Sequence, residues 1–187
     1  MIVAIDTSVL LLFLSEDAPA PPDPETREEI PRVRERVNYL IKSLADDRAK
    51  IIIPTPVLSE VLVVAGDGDV GYLEIIERQS CFRVAPFDQI AAIEAALMMR
   101  EAMSRGGLRA RADPSSPRAK IKFDYQIVAV AKTEQAEAIY AGDQQVLGMA
   151  ARAGLRGIHV AHLDLPPEDP QQQFPWPKPP GEQPDQP

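Results

Sequence analysis

The chain has 187 residues, of which 45% are hydrophobic, and it carries a formal net charge of −8. This length is typical of one domain with a sizeable buried core. The acidic charge excludes a generally basic nucleic-acid coat but leaves room for a local basic patch. A single cysteine, Cys81, excludes an internal disulfide and a cysteine zinc cluster, so a reducing cytoplasm is the expected compartment.

Export and membrane insertion are not expected from the sequence. The apolar run over residues 9–14 has no basic residue before it and follows an aspartate, which is atypical of a signal peptide. No apolar stretch reaches the ~18 to 20 residues that a membrane-spanning helix needs. The sequence therefore predicts a cytoplasmic protein without a membrane partner.

Strand and helix patterns alternate through the first half of the chain. Short apolar runs predict buried strands over residues 2–5 and 50–54. Apolar residues at helical spacing predict an amphipathic helix over residues 26–46. A further helix begins near Pro56, which suits a first helical turn, and a short helix follows over residues 69–79.

The same alternation continues in the second half. Residues 88–104 are predicted to form a helix that is capped by Asp88 and directs Ile90, Ile93 and Leu97 inward. The other predicted elements are a strand over 81–87, a loop over 105–120, a helix over 123–136, a strand over 138–141, a helix over 143–153 and a strand over 157–161.

This order of elements predicts an α/β fold whose parallel sheet is covered by helices on both faces. The predicted domain spans residues 1–163. Residues 164–187 are polar and rich in proline, and they contain the only tryptophan, Trp176. Such a segment cannot bury enough apolar surface to offset its ordering, so it is predicted to be a disordered tail.

Four acidic residues follow predicted strands or begin predicted helices. Asp6 follows the first strand, Glu60 lies one turn into the helix after residues 50–54, Asp124 starts a helix, and Asp143 follows residues 138–141. Active sites in open parallel sheets gather beyond the carboxyl ends of the strands. The four acids are therefore predicted to converge on one edge of the sheet.

Helix capping is the alternative explanation for three of these acids. Asp6, Asp124 and Asp143 each stand where an N-cap residue is expected. Glu60 is different, because its helix is apolar all round and a lone glutamate there is costly to bury. One acid at each of four equivalent places favours a shared site.

Four converging carboxylates repel one another, and a divalent cation relieves that repulsion. Oxygen ligands suit Mg²⁺ or Mn²⁺, which activate water and neutralise a phosphoryl oxygen. The constellation thus points to phosphodiester hydrolysis. His159 and His162 are interpreted as structural or surface residues, and the sequence contains neither a glycine-rich phosphate loop with lysine nor a GxSxG motif.

Four segments carry a resemblance to a known family: VAIDTSVLL, PTPVLSEVL, KFDYQIVAVA and IYAGDQQV. In this order and on these elements, they resemble the PIN-domain family, in particular the VapC-like toxins, from residue 1 to about 163. The resemblance implies a three-layer α/β/α sandwich with a central, mostly parallel sheet of about five strands. It also implies metal-dependent RNA cleavage, a homodimer and often an antitoxin that inserts a peptide into the active-site groove.

The resemblance implies roles for individual residues. Asp6 and Asp124 match the core metal ligands, Asp143 the acid of the fourth strand, Glu60 the acid of the early helix, and Ser8 a hydroxyl that orients the first aspartate. The chain differs from the compact toxins in a proline-rich insertion near residues 15–29, in a longer loop at 104–120 and in the tail. These differences bear on the toxin role and the substrate more than on the fold.

A basic segment leads directly into Asp124. Six basic residues stand against one acid, Asp113, and they predict salt-dependent, sequence-independent contacts with RNA phosphates. A solvated loop with scattered charge is the alternative. Lys120 or Lys122 is also a candidate partner of Asp124 without metal. The six residues are Arg105, Arg109, Arg111, Arg118, Lys120 and Lys122.

The sequence therefore predicts a Mg²⁺- or Mn²⁺-dependent endoribonuclease, with a toxin of a toxin–antitoxin pair as one form of it. The alternative is a non-catalytic module of the same fold that binds RNA or protein. A haloacid-dehalogenase type of phosphoryl transfer ranks below both, because that family needs a second aspartate where Ser8 stands.

Overall fold

A computed structural model of the protein describes residues 1–106 and 118–167. Its sheet has five strands in the order β3-β2-β1-β4-β5, and every pairing between them is parallel. The strands are β1 (Ile2–Ile5), β2 (Lys50–Pro54), β3 (Phe82–Ala85), β4 (Ala138–Ala141) and β5 (Arg156–His159).

Helices cover both faces of this sheet, which gives the three-layer α/β/α sandwich that the sequence predicts. Within the described residues, single 3-10 turns occur at Gly66–Gly68 and Val160–His162. The α-helices are α1 (Thr7–Leu14), α2 (Val33–Asp46), α3 (Thr55–Ala65), α4 (Asp69–Arg78), α5 (Gln89–Ser104), α6 (Arg118–Thr133) and α7 (Gln144–Arg152).

The core lies around the three central strands. Residues 3–5 of β1, residues 51–53 of β2 and the whole of β4 are buried. These strands are continuous apolar runs because helices cover both faces of a parallel sheet. Cys81 is a buried free thiol in the same core.

The strand order has a switch point between β1 and β4. The chain builds β1, β2 and β3 outward on one side of β1, and it then returns to place β4 and β5 on the other side. Connections leave β1 and β4 in opposite directions, which opens a crevice beyond the carboxyl ends of these two strands. Asp6 follows β1 and Asp143 follows β4 by two residues, so both acids border this crevice.

Two predicted helix boundaries are wrong. α2 begins at Val33 instead of near residue 26, because Arg27 and Arg32 have positive φ angles of 65° and 54°. α6 begins at Arg118 instead of 123, because Ile121 is fully buried and continues the helical face of Tyr125.

The face of α5 is also predicted wrongly. Ile90, Ile93 and Leu97 are exposed by 66%, 54% and 47%, whereas the small residues Ala91 and Ala95 are buried. α5 packs closely against α6, and alanines permit this close approach while the larger side chains remain outside.

The chain beyond the domain is described only in part. Residues 164–167 follow the 3-10 turn at Val160–His162, whereas Trp176 and most of the predicted tail lie outside the described residues. None of the helices in the described ranges combines the length and apolar character needed to cross a membrane.

Candidate metal centre

Asp6 is held at the end of β1 by an unusually complete set of hydrogen bonds. Its Oδ1 accepts from the Val9 amide at 2.9 Å and from the Ser8 hydroxyl at 2.7 Å. Its Oδ2 accepts from the Gly142 amide at 3.3 Å. Asp6 is therefore the N-cap of α1, as the capping alternative requires, but it also connects β1 to the loop that follows β4.

Burial raises the pKa of Asp6 to about 6. The side chain is only 4% exposed, and the cost of burying its charge outweighs the three hydrogen bonds that favour the carboxylate. The negative charge of Asp143 raises the pKa further. Helix capping alone does not require an aspartate to be buried in this way.

Asp124 lies in the second turn of α6, so the prediction that it begins or caps this helix is wrong. The residue is 5% exposed, and its Oδ2 is buried without a hydrogen-bond partner in residues 1–106 and 118–167. Burial first, and then the charge of Asp143, raise the pKa of Asp124 to about 7, against the opposing effect of Lys120. Asp6 and Glu60 also raise it, which shows that all four acids are electrostatic neighbours.

Asp143 is the N-cap of α7 and the partner of a lysine. Its Oδ1 accepts from the Gln145 amide at 2.7 Å, and its Oδ2 forms an ion pair of 2.5 Å with Lys120. Burial lowers the pKa of Lys120, but the bond with Asp143 and the charges of Asp143, Asp124 and Glu60 outweigh this, so the net pKa is raised. The lysine thus pairs with Asp143 instead of Asp124, and its charge faces three of the four acids.

Glu60 reaches the same edge from α3. It is partly buried and accepts a short hydrogen bond from the hydroxyl of Thr7, the first residue of α1. This bond joins the helix after β2 to the helix after β1. The structure therefore brings together Asp6, Ser8, Glu60, Asp124 and Asp143, with Lys120 beside them.

These residues have the donor set that a divalent cation requires. Four carboxylates share one edge, two have raised pKa values because of burial and mutual repulsion, and Asp124 Oδ2 has no hydrogen-bond donor within the part of the chain that the structure describes. A hard cation removes each of these costs, so the residues fit Mg²⁺ or Mn²⁺. Among residues 1–106 and 118–167, however, no three potential ligands are already arranged to hold one ion.

The predicted basic residues are only partly placed. Arg105 forms an ion pair with Glu101 at 2.6 Å. Lys120 and Lys122 are exposed on the first turn of α6 and just after it, and Lys120 is near the acids. Arg109 and Arg111 lie outside the described residues; Arg118 begins α6.

Several residues of this site were not predicted. Thr7 supports Glu60, Gly142 supports Asp6, and His159 contacts the Gly142 carbonyl from β5. Pro21, from the proline-rich insertion, packs against Gly142. The hydroxyl of Thr7 within DTS and the glycine directly before Asp143 were available signals, whereas the position of Pro21 has no local signature.

The fold is similar to that of chains in three solved structures that contain DNA. The first is VapBC2 from Rickettsia felis with a promoter fragment, at a TM-score of 0.57 and 14% identity, covering 85% of this chain and 98% of that chain. VapBC from Salmonella typhimurium gives 0.53 and 17%, covering 86% and 99%. FitAB with an IR36 fragment gives 0.51 and 18%, covering 88% and 98%.

The resemblance to the PIN-domain fold of VapC-like toxins is thereby confirmed as a likeness of fold over most of the chain. No family model and no curated protein sequence matches the chain. The identities of 14–18% leave the chemistry to be argued from the residues of this chain.

Proposed function

We propose that this protein is a Mg²⁺- or Mn²⁺-dependent endoribonuclease that hydrolyses RNA phosphodiester bonds. The observation that carries the proposal is the buried Oδ2 of Asp124, which has no hydrogen-bond partner among the described residues, within a group of four acids at the switch point of the sheet. Burying such a group without a counter-ion costs stability, and a bound cation accounts for why the sequence keeps it.

In this proposal Asp6, Asp124 and Asp143 hold the cation, and Glu60 holds a second cation or orients water. A bound divalent cation supplies Lewis acidity toward a phosphoryl oxygen and lowers the pKa of water. Ser8 fixes the orientation of Asp6 through its 2.7 Å hydrogen bond. Because the raised pKa values favour the protonated acid up to about pH 6 at Asp6 and about pH 7 at Asp124, cation binding below these pH values would release protons.

We propose that Lys120 has one role when the site holds no cation and another when a cation is bound. Without a cation its ammonium group neutralises part of the acidic charge through Asp143. When a cation satisfies Asp143, the lysine becomes available for a phosphate of the substrate. Lys122 and the arginines of the basic segment extend this contact, which gives an acidic protein a local attraction for RNA.

The expected protein partners follow from the resemblance. VapBC2, VapBC and FitAB are each described in structures bound to DNA. We propose that this chain forms a homodimer and, if it acts as a toxin, binds an antitoxin peptide over the acidic edge. Light scattering of the purified chain tests the dimer directly, and a monomer at micromolar concentration contradicts it.

The test of the proposed function uses Asp124→Asn and a matched control, Asp88→Asn. Asp88 caps α5 through the Ala91 amide at 2.9 Å, is exposed, and follows β3, which β2 separates from β1. Mg²⁺ and Mn²⁺ are titrated into each purified protein with a structured RNA, and both RNA cleavage and thermal unfolding are followed. We expect metal-dependent cuts and metal-dependent stabilisation in the wild type and in Asp88→Asn, and neither in Asp124→Asn.

The outcomes separate the hypotheses. Stabilisation at 100 times the dissociation constant amounts to about 2.7 kcal/mol, which a melting curve resolves readily. Stabilisation without cuts supports the cation site and rejects the tested RNA as substrate. The absence of both contradicts the nuclease and favours the non-catalytic binding module.

A further inference from the structure

His159, the last residue of β5, has a single defined tautomer. Its side chain is buried, with 3% exposed, and it makes two hydrogen bonds. Nδ1 accepts from the Ala161 amide at 3.1 Å, and Nε2 lies 3.1 Å from the Gly142 carbonyl oxygen. An amide can only donate and a carbonyl can only accept, so the proton must be on Nε2 of a neutral imidazole.

Gly142 extends this contact to the acidic residues. Its amide donates to Ser8 Oγ at 2.8 Å and to Asp6 Oδ2 at 3.3 Å, and the Ser8 hydroxyl donates to Asp6 Oδ1 at 2.7 Å. Its carbonyl belongs to the peptide that leads into Asp143. Both peptide units that flank Gly142 are therefore held by hydrogen bonds, one with Asp6 and Ser8 and the other with His159.

The loop around Gly142 has no room to adjust. A Cβ at this position would lie 2.7 Å from Ser8 Oγ and 2.9 Å from Pro21 Cγ. The backbone thus passes close to α1 because residue 142 is a glycine. The carbonyl of Gly142 is held at the remaining side by the imidazole.

We propose that His159 is a positioning residue that sets the placement of Asp143 relative to Asp6 for cation binding. It acts through the Gly142 peptide and does not itself touch a cation or RNA. The inference rests on the proposed function, because it concerns the same acids. Groups that support metal ligands from behind typically contribute 10- to 100-fold to metal affinity.

The test compares three variants by their Mn²⁺ dissociation constants. His159→Leu removes the donor, and His159→Gln keeps an amide N–H that can reach the Gly142 carbonyl. His162→Leu is the matched control, because His162 is exposed and its ring centroid lies 6.1 Å from that of His159. We expect roughly 10- to 100-fold weaker Mn²⁺ binding in His159→Leu, recovery of most of it in His159→Gln, and a change below about twofold in His162→Leu.

A purely structural role of His159 would lower the melting temperature in EDTA without changing the Mn²⁺ affinity of the folded protein. Wild-type affinity in folded His159→Leu therefore overturns the inference and leaves the proposed function intact. A wild-type protein that does not bind Mn²⁺ overturns both.

A second measurement covers the case in which His159→Leu does not fold. The ¹⁵N shifts of the His159 ring in the wild-type protein near pH 7.5 report its tautomer. We expect a protonated Nε2 and an unprotonated Nδ1. The opposite tautomer leaves Nε2 without a proton, removes the hydrogen bond to the Gly142 carbonyl and overturns the inference.

Discussion

An aspartate that caps the next helix follows both β1 and β3, but the surroundings of the two aspartates differ. Asp6 and Asp88 each accept a hydrogen bond of 2.9 Å from the amide three residues later and cap the helix that follows. Asp88 lies at the edge of the sheet and is exposed. Asp6 lies at the switch point, is buried, and has a second oxygen bonded to the loop after β4.

The comparison shows what capping explains and what it does not. A cap needs one carboxylate oxygen near a helix N-terminus, and both residues provide this. It does not require burial or further acids, and at Asp6 burial and Asp143 raise the pKa to about 6. The surplus of negative charge at one strand end, and not the caps themselves, supports the proposed cation site.

Replacement of the two caps gives the largest predicted difference. Asparagine caps a helix about as well as aspartate, so Asp6→Asn and Asp88→Asn should both fold. We expect Asp6→Asn to lose more than about a hundredfold in RNA cleavage, equivalent to about 3 kcal/mol of transition-state stabilisation, because a cation ligand is lost. Asp88→Asn should cleave like the wild type. Single-turnover cleavage rates with Mg²⁺ measure this.

Equal activity of Asp6→Asn and Asp88→Asn would contradict the proposed difference between the two caps, because Asp6 would then act only as a helix cap. Circular dichroism of Asp6→Asn is the control for folding. Loss of activity in Asp88→Asn as well would point to a general sensitivity of the fold to its caps.

The free energy of unfolding of Asp124→Asn measures how much the buried charge of Asp124 destabilises the folded protein. The pKa of Asp124 is about 7 when folded, against an ordinary 3.8. Below pH 3.8, Asp124 is protonated in both the folded and the unfolded state, so its burial does not reduce the free energy of unfolding. As the pH rises from 3.8 to about 7, the unfolded state releases its proton while the folded state keeps it, so stability falls; above about 7 the loss is complete.

We therefore expect Asp124→Asn to be more stable than the wild type in EDTA, by about 2 to 4 kcal/mol at pH 8 and by less at pH 5. Urea unfolding at the two pH values measures the difference. Saturating Mg²⁺ should reverse the order, because only the wild type binds the ion. Asp88→Asn should show neither pH-dependent gain nor reversal. A destabilised Asp124→Asn at pH 8 in EDTA would contradict the electrostatic argument.

Gly142, in the loop after β4, and Gly148, in α7, can be compared to test how closely the chain packs at the site. A Cβ at Gly142 would lie 2.7 Å from Ser8 Oγ, whereas a Cβ at Gly148 would lie 3.5 Å from Arg152 Nη1, an ordinary contact. We expect Gly142→Ala to lose about 1 to 3 kcal/mol of stability through overpacking and to weaken Mn²⁺ binding. Gly148→Ala should gain up to about 1 kcal/mol because alanine favours α7.

Thermal unfolding and Mn²⁺ titration of both glycine variants measure these effects. Pro21→Ala in the Gly142→Ala background removes the Cγ contact at 2.9 Å and leaves the Pro21 Cβ contact at 3.1 Å. Partial recovery there would confirm the close packing of the insertion against the site. Wild-type stability and Mn²⁺ affinity in Gly142→Ala alone would contradict it.

Much of the fold follows from local patterns. All five strands were predicted, because a parallel sheet covered on both faces requires continuous apolar runs such as residues 51–53. The start of α6 was missed because its charged first turn hides the buried Ile121. The buried face of α5 was predicted wrongly because the larger apolar side chains were expected to be buried, whereas Ala91 and Ala95 pack inward.

The candidate site was predictable in its acids but not in its supports. Asp6 and Asp143 follow strands whose carboxyl ends must lie at one edge, so topology alone brings them near each other. The contact between His159 and Gly142 depends on the neighbouring positions of β4 and β5, and no spacing in the sequence encodes it. The pairing of Lys120 with Asp143 instead of Asp124 likewise depends on where α6 begins.

Two lysine–carboxylate pairs offer the smallest and most specific test. Lys120–Asp143 lies beside the acidic group, at 2.5 Å with 46% and 28% of the side chains exposed. Lys132–Glu94 joins α6 to α5, the helix that Asp88 caps, at 2.6 Å with 41% and 21% exposed. Exposed pairs of this kind contribute about 1 kcal/mol or less to stability, so neither Lys→Met change should unfold the protein.

Their effects on RNA should differ, because only Lys120 is positioned to contact a phosphate once a cation satisfies Asp143. We expect Lys120→Met to raise KM about fivefold, equivalent to about 1 kcal/mol, with little change in kcat, and to reduce the salt dependence of log KM by about one. Lys132→Met should leave KM and its salt dependence unchanged. Cleavage kinetics at several salt concentrations measure both. Equal KM values for the two variants would assign Lys120 to charge balance alone and move RNA binding to the other residues of the basic segment.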